Sequence, residues 1–183
     1  MSSPDLAQGA LLLCVDMQPV FVRVVADGAR VLKRCQFAVA AAARLGIPVA
    51  FTEQVPEKLG HTDPELLGLA AAPVVHAKKT FSAWAAPAGL LARGPAEHLL
   101  LCGVETPVCV YQTAVDALQS GLPVTILADC VGARRPDDAR TCLEALARAG
   151  AHVLPAETVF YSILGAADHP AFRAFTELVK TYG

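Results

Sequence analysis

The sequence predicts an α/β domain built on a largely parallel sheet. Three observations carry this. Short apolar runs recur along the 183 residues, and helical patterns separate them throughout. Several runs, such as Leu11-Leu12-Leu13-Cys14-Val15 and Leu99-Leu100-Leu101-Cys102-Gly103-Val104, are apolar on both faces, the mark of strands buried on both sides. Finally, no repeat, low-complexity run or linker divides the chain, so residues 1–183 read as one domain.

The elements follow in order. A first strand spans residues 11–15 and ends at Asp16. A helix covers 28–45, with Val31, Leu32, Cys35, Val39 and Ala42 on one face, and Gly46 ends it. A second strand, 48–52, closes at Glu53 and Gln54. Pro56, Gly60 and Pro64 make 55–67 mostly loop. A third strand, 73–77, runs out at Lys78 and Lys79, and 87–92 forms a short helix. The fourth strand, from Leu99, breaks at Glu105-Thr106-Pro107. Proline suits a helix start, and Val108, Tyr111, Val115 and Leu118 then mark a helical face. A fifth strand, 122–128, is left by Asp129-Cys130-Val131. Pro136 starts a helix that Gly150 closes. Residues 151–154 form a sixth strand, and the tail from 157 to 180 is helical with a break near His169-Pro170.

Composition narrows the function. Fifteen Lys and Arg stand against seventeen Asp and Glu, with no basic run, so no nucleic-acid partner is expected. A 54% hydrophobic content with only 17% charged residues suggests surface buried between copies, a homo-oligomer. The six cysteines form no Cys-x-x-Cys pair and have no histidines at zinc spacing, so reduced thiols and a cytoplasmic setting are expected. No basic leader with a cleavable apolar segment is seen. The apolar run ending at Val15 is too short to span a bilayer, and no membrane partner is expected.

In parallel sheets ligands bind beyond the carboxyl ends of the strands. The polar residues there are Asp16, Glu53, Lys78 or Lys79, Glu105, Cys109 and Asp129. Cys109 falls in a first helical turn, where free N–H groups and the helix dipole stabilise a thiolate and receive an oxyanion. Its thiol pKa is therefore expected to fall. Asp16 is a base for that thiol and a lysine a fixed cation beside it. The plainer reading of each is a capping aspartate, a solvated lysine and a buried apolar cysteine.

Three segments together resemble the isochorismatase-like cysteine hydrolase family. They are Val15-Asp16-Met17-Gln18-Pro19-Val20-Phe21, Lys79-Thr80-Phe81-Ser82-Ala83-Trp84 and Cys102-Gly103-Val104-Glu105-Thr106-Pro107-Val108-Cys109-Val110. They are similar to the family's Asp-x-Gln strand end, its Lys-x-x-Phe/Tyr-Ser-x-aromatic segment and its nucleophile turn. The resemblance implies a six-stranded sheet of order 3-2-1-4-5-6 and a catalytic triad of Asp16, Lys79 and Cys109. Lys79 is preferred to Lys78 because it stands three residues before Ser82, with Phe81 between. The family also implies a cis peptide at Val104–Glu105, which turns the Glu105 N–H towards an oxyanion beside the Cys109 N–H.

Two departures shape the expectation. Family nicotinamidases carry an Asp-x-His metal segment after the second strand, whereas Thr52-Glu53-Gln54-Val55-Pro56 stands here. No metal and no cofactor are therefore expected. Thr52-Glu53-Gln54 with Leu59-Gly60-His61-Thr62 resembles instead the isochorismatase domain-containing subgroup, in which histidine is common where Pro107 stands. True isochorismatases lack the cysteine. The resemblance thus implies cleavage of a C–N bond in a small amide-like substrate through a thioester. Gln18, Phe21, Glu53, Gln54 and Trp84 are candidate pocket residues. The alternatives are a non-catalytic oligomeric scaffold or small-molecule binder, and a thiol-redox protein, which would need a resolving cysteine near Cys109. A nucleotide-binding oxidoreductase lacks its Gly-x-Gly-x-x-Gly after the first strand.

Overall fold

A computed structural model describes residues 9–84 and 97–183. The helix expected over 87–92 lies outside the described residues. Six parallel strands form one sheet in the order β3-β2-β1-β4-β5-β6. They are β1 (Ala10–Val15), β2 (Val49–Gln54), β3 (Val74–Lys78), β4 (His98–Val104), β5 (Val124–Gly132) and β6 (His152–Leu154). The order reverses between β1 and β4, so the crevice beyond their carboxyl ends is the switch point.

Side-chain alternation along the strands splits the core in two. Leu12, Cys14, Leu100 and Cys102 face one side, under α2 (Gly28–Arg44) and the C-terminal helices α7 (Ala156–Leu164) and α8 (Phe172–Tyr182). Phe37, Phe160 and Phe175 pack there with ring centroids 5.7–6.2 Å apart. Leu11, Leu13, Val15, Leu99 and Leu101 face the other side, where α5 (Tyr111–Gln119) and α6 (Pro136–Arg148) lie. Cys109 belongs to this second face.

Two expectations are corrected. Residues 55–67 are not mostly loop: α1 (Pro19–Val22) is followed, beyond β2, by α3 (Pro56–Leu59) and α4 (Pro64–Gly68). Both prolines sit in a first helical turn, where a missing N–H costs nothing, and the Asp63 carboxylate accepts the Leu66 N–H. Strand β5 also runs on through Asp129 to Gly132, with its register against β4 shifting between Leu101 and Gly103. Asp129, a candidate at a strand end, is structural. Its carboxylate accepts from Arg34 of α2 at 2.8 Å and from the Ala156 N–H at the start of α7 at 2.7 Å.

Gly103 decides how tightly the two central strands close. It pairs with Val15 at φ +110°, and an added Cβ would lie 2.1 Å from the Val15 carbonyl oxygen. Only glycine allows this approach. It brings the end of β4 against the end of β1, one residue before Asp16.

Candidate active site

Asp16 leaves β1 in a left-handed conformation, φ +50°, which aspartate tolerates better than most residues. Its side chain is buried, with 1% exposed. Oδ1 accepts from the Thr52 hydroxyl at 2.8 Å. Oδ2 meets the Lys78 ammonium at 2.7 Å as an ion pair and takes no hydrogen bond among the described residues, so it keeps a lone pair for a proton.

The lysine of the site is Lys78, not Lys79. Lys78 is the last residue of β3, in register with Gln54 at the end of β2. Its Nζ donates to Gln54 Oε1 at 2.6 Å, to the carbonyls of Thr80 and Phe81 at 3.2 and 3.1 Å, and to Cys109 Sγ at 3.6 Å. It thus reaches over the end of β2 to the carboxylate on β1. Lys79 is exposed. Neighbouring residues on an extended chain point to opposite sides, so only one of the two can enter. The sequence held the signal: Lys78, not Lys79, stands three residues before Phe81, as the Lys-x-x-Phe-Ser spacing requires.

Beyond β4, a cis peptide joins Val104 to Glu105. A π-helical turn, Thr106–Val110, then leads into α5 and carries Cys109. The Glu105 carbonyl accepts from the Val108 and Val110 N–H groups at 3.0 and 3.2 Å. Thr113 lies one turn beyond Cys109. Its hydroxyl donates to the Cys109 carbonyl at 2.6 Å and accepts the Ala83 N–H at 2.8 Å, pinning the segment after Lys78 onto the turn that carries Cys109. No sequence motif pointed to Thr113.

The expectation of a lowered Cys109 pKa is overturned. Burial pushes the thiol up to about 12, the negative charge of Asp16 adds to this, and Lys78 only partly offsets it. The resting group is a neutral thiol beside a carboxylate–ammonium pair.

The candidate pocket residues divide. Gln54 touches Lys78 directly, and its Nε2 donates to the Lys79 carbonyl at 3.0 Å. Glu53 turns the other way: it accepts the Thr62 N–H at 2.7 Å and meets His61 Nδ1 at 2.9 Å. Burial alone would raise its pKa, but the Thr62 N–H and His61 outweigh that and lower it. Gln18 is fully buried and ties loops together, accepting the Gln54 N–H at 2.7 Å and donating to the Gln54 and Gly60 carbonyls. Phe21 packs on the α2 side of the sheet, away from Cys109. Trp84 packs on the Cys109 side. A cavity of 310 Å³ opens beside the site, lined by residues from His76 to Ala83 that include Lys78, Lys79 and Ser82.

One group of metal-ligating side chains occurs among the described residues: Cys14, Cys35 and Cys102, with sulfur atoms within 4.8 Å of one another. It sits in the α2-side core, on the opposite face from Cys109. Hydrogen bonds among the three thiols pull in both directions, and with burial and the charge of neighbouring sulfurs the net effect raises all three pKa values well above the ordinary one.

The isochorismatase domain family model matches residues 10–158, which span all six strands and end within the first turn of α7. The chain belongs to the isochorismatase domain family. It is 36% identical over 177 residues to isochorismatase domain-containing protein 2 of Bos taurus, covering 93% of this chain and 82% of that protein. Among solved structures it is similar to the MAR1 ribonuclease of Caenorhabditis elegans, with a TM-score of 0.90, 29% identity, and 95% and 91% of the two chains covered. It also shares its fold with YcaC of Escherichia coli, described as an octameric hydrolase of unknown specificity (TM-score 0.84, 19% identity, 100% and 97% covered). No helix among the described residues is long and apolar enough to cross a membrane.

Proposed function

We propose that this isochorismatase-family protein is a cysteine hydrolase that cleaves a C–N bond of a small amide-like substrate. The observation that carries the reading is the meeting of Asp16, Lys78 and Cys109 from three strand ends, with Lys78 Nζ 2.7 Å from the carboxylate and 3.6 Å from the sulfur. A capping aspartate, a solvated lysine and a packing cysteine have no reason to converge in a buried cluster.

Asp16 Oδ2 accepts the Cys109 proton as the sulfur attacks the carbonyl carbon, forming the S–C bond. The carbonyl π electrons move to oxygen, which the Glu105 and Cys109 N–H groups receive. As the oxyanion collapses, the C–N bond breaks and Asp16 returns its proton to the leaving nitrogen. Water, losing a proton to Asp16, then attacks the thioester; the C–S bond breaks and Asp16 returns the proton to the Cys109 sulfur. Lys78 holds the carboxylate in place and favours the transient thiolate. A general-base mechanism suits a thiol that rests protonated better than one needing a standing thiolate.

Assembly with further copies belongs to the same reading. Val74, Val75 and Phe81 on and beyond the edge strand β3 are 38–56% exposed, and the fold relative YcaC is octameric. Sedimentation at micromolar concentration should show a dimer or larger species; a monomer alone would remove this part. The MAR1 relative is described as a ribonuclease, so RNA belongs among the test substrates. The net charge of −2 argues against it.

The decisive experiment is a screen of small amides with mass detection of an acyl group on Cys109. A trapped thioester on Cys109, absent from Cys109→Ala, is the expected result. If wild-type protein turns over an amide with no acyl-cysteine and Cys109→Ala is equally active, the reading fails.

A further inference from the structure

Glu105 carries two separate demands. Its N–H is assigned to the oxyanion in the reading above, and it has no hydrogen-bond acceptor among the described residues. Its carbonyl is already fixed by the Val108 and Val110 N–H groups. Its side chain is held from the far side of the switch point. Arg134, in the loop between β5 and α6, donates from Nε to both carboxylate oxygens at 3.0 Å. The Arg134 backbone N–H donates to Oε2 of the same carboxylate at 3.1 Å. The Glu105 side chain is 13% exposed, so this is more than a surface ion pair, although the outer part of Arg134 reaches solvent.

We propose that Arg134 is a positioning residue: by gripping the Glu105 carboxylate it fixes the peptide whose N–H receives the oxyanion. The proposal rests on the cysteine-hydrolase reading. An oxyanion donor works only when it is already aimed at the place where charge develops, because reorganisation at the moment of reaction costs rate. Three charge-assisted contacts converging on one carboxylate fix both its position and its plane. Without the two guanidinium contacts the Glu105 carboxylate keeps only the Arg134 backbone N–H, and the plane of the Glu105 N–H is less firmly set.

This role predicts that two reactions of the same sulfur will separate. Acylation of Cys109 by p-nitrophenyl acetate builds negative charge on a carbonyl oxygen and uses the oxyanion donors. Alkylation by iodoacetamide displaces iodide from carbon, builds no such charge and does not use them. Both draw on the same Cys109 thiol, in the same electrostatic setting of Asp16 and Lys78. Arg134→Ala should therefore slow acylation by about ten- to a hundredfold while alkylation stays within about twofold of wild type. Arg134→Lys, which restores the charge but not the fixed Nε–H shared by the two carboxylate oxygens, should recover part of the loss. Arg135→Ala, which removes only the exposed partner of Asp138, should change neither reaction.

Equal rates of acylation in Arg134→Ala and wild type would overturn the proposal. An equal fall in both reactions would also overturn it, because it would show general collapse of the site. The hydrolase reading fails in a different way: wild-type protein would show no acylation above that of Cys109→Ala, and the Arg134 role would fall with it.

Discussion

The Lys78 ammonium lies 3.6 Å from the Cys109 sulfur and 2.7 Å from the Asp16 carboxylate, so one cation serves both anionic partners of the proposed reaction. The two partners oppose each other. Asp16 favours the neutral thiol and Lys78 the thiolate, and burial tips the balance to the thiol.

Replacing Lys78 should therefore separate it cleanly from its neighbour. Lys78→Ala removes the positive charge that lowers the Cys109 pKa and leaves Asp16 buried without its ion-pair partner. Iodoacetamide labelling at pH 8 should slow and amide turnover should fail. Stability should drop by about 3–5 kcal/mol, the usual cost of breaking a buried pair. Lys79→Ala should leave labelling and stability unchanged, since Lys79 is exposed. Loss of turnover with Lys79→Ala alone would reinstate Lys79 in the triad.

Most of the fold was legible because buried parallel strands have a plain signature. Leu11 to Val15 and Leu99 to Val104 are apolar on both faces, and glycines or prolines mark many of the ends. The candidate site is legible as a set of strand ends, and the structure brings Asp16 and Cys109 together beside Lys78. What failed depended on side-chain direction. Lys78 and Lys79 are chemically identical, and only the phase of β3 separates them; Glu53 and Gln54 pose the same problem at the end of β2. The cysteine pKa was misjudged because a helix start is visible in sequence, while the depth of burial and the nearness of Asp16 are not. The grip of Thr113 on Ala83 and of Arg134 on Glu105 joins segments about 30 residues apart, with no local pattern to mark it.

Removing Asp16 should speed one reaction and stop the other. Asp16→Asn deletes a negative charge that raises the Cys109 pKa, so the thiol should ionise more readily. Labelling near pH 8 should be faster than in wild type. Hydrolysis should nevertheless fall by about 10²–10⁴-fold, the usual worth of a proton-transfer group. Slower labelling in Asp16→Asn would show that the carboxylate stabilises a standing thiolate and would reverse the proposed order of proton transfer.

Gly103→Ala tests the closure of β1 on β4. The new methyl would lie 2.1 Å from the Val15 carbonyl oxygen, at a φ of +110° that an L residue avoids. Backbone strain and overpacking together should cost about 3 kcal/mol or more. Urea unfolding should show the loss as a lower midpoint, and turnover should fall with it because Asp16 follows Val15 directly. A midpoint equal to wild type would mean that the two strand ends are not so closely joined.

The buried thiols set a limit on stability at high pH. Cys14, Cys35, Cys102, Cys109 and Cys130 all have pKa values raised above the ordinary thiol value, with Cys109 at about 12. In the unfolded chain the same thiols ionise near pH 8.5. A raised native pKa contributes stability that is complete below the unfolded value and is lost as pH climbs towards the native one. For Cys109 that window runs from about pH 8.5 to about 12. Within such a window each thiol removes up to about 1.4 kcal/mol per pH unit, because the native state holds a proton that the unfolded chain has released. Urea midpoints should therefore fall between pH 8 and pH 10. Lysines and tyrosines titrate in the same range, so the test is the difference between wild type and Cys35→Ala. That variant loses one of the three sulfurs clustered within 4.8 Å. It will be less stable at pH 8, since it leaves a small void, but its decline towards pH 10 should be shallower. Parallel declines in the two proteins would show that Cys35 does not hold its proton in the folded state.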